Sequence, residues 1–110
     1  MNLEITKKMA KTIEEKEKLN KELTDLLKKC TNLEIGERTK RTYLMNKLAE
    51  SGVKMTEKAK IAQCDAELKT EMDNITYIKL AIGEVKREIE LCNDKISLYR
   101  NMIRELEITK

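Results

Sequence analysis

Residues 61–106 read IAQCDAELKTEMDNITYIKLAIGEVKREIELCNDKISLYRNMIREL. Apolar side chains recur there in alternating steps of three and four: Ile61, Cys64, Leu68, then Glu71, then Ile75, Ile78, Ile82, Val85, Ile89, Cys92, Ile96, Tyr99, Ile103 and Leu106. Thirteen of these fourteen are apolar, and with Ile61 as heptad position a, every a position except Leu68 is isoleucine. Steps that average 3.5 residues keep one stripe of a helix turned toward a partner over many turns, which is the mark of a coiled coil. The second half of the chain is therefore expected to be one long helix.

Upstream, a less regular seam runs through Ile5, Met9, Thr12, Lys16, Leu19, Leu23, Leu26, Cys30 and Leu33. It meets a polar run from Glu37 to Thr42 and resumes at Leu44 and Leu48, displaced by one residue. Gly36 stands at this irregularity, which is a kink, a stutter or a break between two helices. Between the halves, Ser51-Gly52-Val53-Lys54-Met55-Thr56 reads as a stop and a start. Gly52 suits a left-handed ending with Val53 placed to touch Leu48, and Thr56 suits an N-cap with Glu57 behind it at the positive end of the next helix. The expected architecture is all-α, a single coiled-coil domain over residues 1–110. Helix 2–50, irregular near 36–42, would be followed by a turn at 51–56 and a helix 57–108. Each helix of about 50 residues would be roughly 75 Å long, and a short connection makes them antiparallel neighbours.

In a hairpin that turns near residue 53, facing positions have numbers that sum to about 106 to 108 by the same geometry. The polar run 36–42 then lies opposite 66–72, where Glu71 is the polar exception in the second seam. Two interruptions at one height predict a shared polar layer in which Glu71 meets Arg38, Lys40 or Arg41, a device that fixes register at some cost in stability.

The second helix also carries apolar residues beside the seam: Tyr77, Leu91 and Leu98 at c, and Ala81 and Met102 at g. A two-stranded seam does not cover so wide a face. Hairpins are therefore expected to pair, most simply as a homodimer forming a four-helix bundle. Core and oligomer packing is assigned to Ile75, Ile78, Ile82, Val85, Ile89, Ile96, Tyr99 and Ile103, together with Tyr77, Leu91 and Leu98.

Composition narrows the function. Charged residues make up 39% of the chain, Phe, Trp and Pro are absent, and the net charge is only +3. No histidine exists to serve a triad or a zinc site. Gly36, Gly52 and Gly83 lie in no phosphate-binding loop. Cys30, Cys64 and Cys92 form no Cys-x-x-Cys pair and fall at core spacing, as small hydrophobes in a reducing compartment do. No catalytic, cofactor-binding or metal-binding residue is assigned, and no cofactor is expected. No apolar run approaches the roughly 18 residues of a membrane span, and the first residues lack the apolar core of a signal peptide. A cytoplasmic protein without membrane contact is the expectation.

Residues 37–60 depart from the average. Seven basic residues, Arg38, Lys40, Arg41, Lys47, Lys54, Lys58 and Lys60, stand against Glu37, Glu50 and Glu57, which gives 7 − 3 = +4. A basic hairpin tip suits contact with phosphates or with an acidic partner, whereas the plain reading is a lysine-rich solvated surface.

The stretch Tyr43–Leu68, YLMNKLAESGVKMTEKAKIAQCDAEL, followed by a heptad helix ending NDKISLYRNMIREL, resembles small helical proteins encoded in the replication and recombination regions of bacteriophages and prophages. The resemblance covers the Gly-Val-Lys-Met-Thr turn and the long helix and brings no catalytic motif. It implies an accessory protein that handles DNA, aids recombination or inhibits a host enzyme. Three classes of function follow: a protein-binding accessory or inhibitor, which the apolar stripes favour, a DNA-binding accessory that uses the basic tip, and a purely structural coiled coil.

Overall fold

The computed structural model describes residues 2–108, with side chains for 3–108. Three helices follow one another: α1 (Asn2–Glu50), α2 (Glu57–Glu67) and α3 (Lys69–Ile108), and the described residues include no strand. Partners on α1 fall in number as those across from them rise, Lys40 meeting Glu71 and Glu34 meeting Lys79, so the helices are antiparallel. The chain is an all-α helical hairpin.

Several local features follow from the sequence. With no proline to remove a donor, α1 runs without interruption through Gly36. At its end the Ser51 N–H donates to Lys47 O at 3.1 Å, and Gly52 takes the left-handed region with φ +71°. Val53 is 59% exposed, and its N–H donates to Ser51 Oγ at 3.4 Å. Thr56 caps α2 in extended conformation, its hydroxyl accepting from Ala59 N–H at 3.1 Å.

The second helix differs from expectation. Instead of one helix over 57–108 there are two, separated at Leu68, where φ −98° and ψ 14° leave the helical region. The i→i−4 bonds from Leu68 N–H to Cys64 O and from Met72 N–H to Leu68 O, both 2.9 Å, carry the chain through this point. Neither Gly nor Pro stands there. The break lies where the seam changes from apolar to charged, between fully buried Cys64 and Leu68 and half-buried Glu71. Ile61, expected at the start of the seam, is 46% exposed. After the cap at Thr56, Ala59 and Lys60 are the half-buried residues of the first turn.

Residue contacts divide the chain into two units, each with its own core. In the unit that joins Met1–Asp25 to Ile82–Lys110, Thr12, Ile82, Val85, Cys92 and Ile96 are buried, with Ile89, Tyr99, Ile103 and Leu106 half-buried. Thr12 satisfies its hydroxyl on Lys8 O at 2.9 Å and so can line an apolar layer. In the unit Leu26–Ala81, Cys30, Cys64 and Leu68 are buried, and Leu33, Leu44, Leu48, Ile75 and Ile78 are half-buried.

Candidate interaction surface

The features that distinguish the unit Leu26–Ala81 begin with a polar layer. Lys40 Nζ lies 2.9 Å from Glu71 Oε1. Arg41 spreads its guanidinium over three partners: Nε donates to Glu37 at 2.7 Å, Nη1 to Asp65 at 2.7 Å, and Nη2 approaches Met72 Sδ at 3.5 Å. Asp65 precedes the break at Leu68 and Met72 follows it, so one side chain of α1 ties both segments of the second helix. The hydrogen bonds to Glu37 and then Asp65 push the Arg41 guanidinium further up, and the bond from Lys40 holds the Glu71 carboxyl below the usual carboxylate range. Nearby, Lys79 reaches Glu34 at 3.8 Å, and the Cys30 thiol donates to Glu34 at 3.1 Å. That carboxylate acceptor, with burial second, raises the thiol pKa and keeps Cys30 protonated.

These pairs alter the picture of a basic tip. Lys40 and Arg41 face carboxylates and hold helices together. Residues 61–71 add Asp65, Glu67 and Glu71 against Lys69, or −2, which lowers the +4 of residues 37–60 to +2 for the hairpin end. Arg38, Lys47, Lys54 and Lys58 are exposed, Lys60 is half-buried, and Lys47 Nζ sits 5.4 Å above the Tyr43 ring. A cavity of about 360 Å³ lies beside the turn, lined by Leu44, Lys47, Leu48, Ser51, Gln63, Cys64 and Glu67.

Among residues assigned to packing, Ile82, Val85 and Ile96 are buried, and Ile75, Ile78, Ile89, Tyr99 and Ile103 are half-buried. The off-seam residues Tyr77, Leu91 and Leu98 are 71%, 55% and 57% exposed, so the single hairpin leaves them in solvent. Leu27, Ile35, Tyr43 and Leu80 are also exposed and were not singled out from the sequence, because the seam spacing draws attention away from them. Leu27, Ile35 and Tyr43 lie eight residues apart on α1, and Leu80 lies on α3. Among the described residues no group of three or more Cys, Asp and Glu side chains is placed to hold a metal ion, and no helix is long and apolar enough to cross a membrane. No protein-family model, curated protein or solved structure matches the chain.

Proposed function

We propose that this protein is a non-enzymatic, cytoplasmic accessory or inhibitor that acts by presenting helical surfaces to a second copy of itself and to a protein partner, in keeping with its resemblance to phage-encoded helical accessory proteins. The observation that carries this reading is the exposure of large apolar side chains at Tyr77, Leu91 and Leu98 on the second helix. Apolar area in water is a standing drive to association. A two-fold dimer forming a four-helix bundle is the simplest way to cover those side chains.

Sedimentation equilibrium at micromolar concentration is expected to give a dimer, twice 12.8 kDa, that Leu98→Asp converts to monomer without loss of helicity. A wild-type monomer would sink the dimer. Filaments instead of a defined oligomer would favour a structural coiled coil. The DNA reading draws support from exposed Lys47, Lys54 and Lys58 around the turn. It is tested by replacing those three with Glu, because changing Arg41 would also cut the ties between helices. Steeply salt-dependent DNA binding abolished by the triple change would establish that reading instead.

A further inference from the structure

Beside its buried seam, α3 carries a second apolar stripe made of Tyr77, Leu80, Leu91, Leu98 and Met102. All five side chains are exposed. With 3.6 residues to the turn, their spacing brings them within about 60° of one another on one side of the helix. That side lies roughly 130° round from the seam of Ile82, Val85, Cys92 and Ile96. A helix packed on the seam therefore does not cover it. From Tyr77 to Met102 the stripe is about 38 Å long.

The charges on the same side select the occupant. Glu84 and Arg87 stand between Leu80 and Leu91, and Asp94 and Lys95 stand between Leu91 and Leu98. All four are exposed, and none is in an ion pair or a side-chain hydrogen bond with another described residue. Glu84 and Lys95 lean to one edge of the stripe, Arg87 and Asp94 to the other. A two-fold axis across an antiparallel pair sets each edge of one helix against the same edge of its copy, and every contact occurs twice. When facing residue numbers sum to about 179, Leu80 meets Leu98 of the second copy, Tyr77 meets Met102, Glu84 meets Lys95, and Arg87 comes within one turn of Asp94. Leu91 and its copy then lie within one turn of each other across the axis. A parallel pair would instead set each of the four charges against its own kind. We infer that the α3 stripe Tyr77–Met102 docks on the same stripe of a second copy, antiparallel, with the two-fold axis between Ile89 and Glu90. The inference rests on the proposed dimer and adds to it the helix that mediates contact, its direction and its register. Apolar contact supplies the attraction, and the charge pairs fix direction and register.

Full-length chains carrying Leu80→Cys and chains carrying Leu98→Cys are mixed and oxidised with a copper catalyst, and the linked peptides are identified by mass spectrometry, which separates them from any link through the three buried native cysteines. The mixture is expected to give a disulfide between the two substituted positions. Leu98→Cys alone is expected to give at least about tenfold less, because in this register the two copies of position 98 stand roughly 25 Å apart along the helices. In low salt, Arg87→Asp is expected to raise the dimer dissociation constant measured by sedimentation by about tenfold, with helicity unchanged because Arg87 is exposed. Adding Asp94→Arg to that variant is expected to bring the constant back to within about threefold of the original. A link between two copies of position 98, a dimer that gives no link between positions 80 and 98, or a dimer indifferent to Arg87→Asp overturns the inference and leaves the proposed dimer standing. A wild-type monomer overturns both.

Discussion

The three glycines in this chain fall into two roles, and the backbone separates them. Gly52 has φ +71°, a conformation in which an added Cβ crowds the backbone, and it ends α1. Gly36 and Gly83 lie within helices with open space where a Cβ would be. There glycine only adds freedom to the unfolded chain. Gly83→Ala is therefore expected to raise stability by about 0.5–1 kcal/mol, and Gly52→Ala to lower it by about 1 kcal/mol, as read from urea midpoints followed by circular dichroism. The Gly52 turn was legible because Gly precedes a good N-cap residue by four positions. That α1 continues through Gly36 was not legible, since a glycine beside a polar run looks the same whether the helix breaks or continues. Thr31 and Thr39 teach the same lesson: their polarity in the sequence disappears once each hydroxyl bonds within its own helix.

At the scale of the helices, the polar layer decides how α1 meets the second half of the chain. The match of Glu71 with residues near 38–41 could be read from two interruptions at one height, and Lys40 is the residue that takes it. The break at Leu68 could not be read, because neither Gly nor Pro stands there and the flanking Glu67 and Lys69 are good helix formers. Lys40 holds the Glu71 carboxyl below its ordinary value, so the folded state favours the ionised form. Its contribution is present above the unfolded carboxylate pKa of about 4.3 and is lost as pH falls through the lower folded value. Melting temperature is expected to drop on acidification through that window, and Glu71→Gln to show a smaller drop there. Identical acid slopes for the two proteins would remove Glu71 from the account. Added salt should shrink the difference, because both side chains touch solvent.

Across the whole molecule, stability depends on the isoleucine seam, since few aromatics are present and no disulfide links the three free cysteines. Ile82 is 8% exposed. An unpaired carboxylate there has no partner to offset the loss of water, so Ile82→Asp is expected to cost more than about 3 kcal/mol and to abolish cooperative melting. An unchanged melting temperature would mean that the seam is misplaced. The helical hairpin itself followed from periodicity and one turn, because the 3.5-residue spacing and the absence of proline are written into the covalent chain and act within a few residues. Which lysines and arginines are committed to carboxylates, where the second helix breaks and which apolar side chains remain in water depended on the folded arrangement. Those properties are set by pairing between residues some 24 to 45 positions apart, such as Arg41 with Asp65 and Glu34 with Lys79, and long flexible side chains find such partners only after the backbone register has brought them within reach.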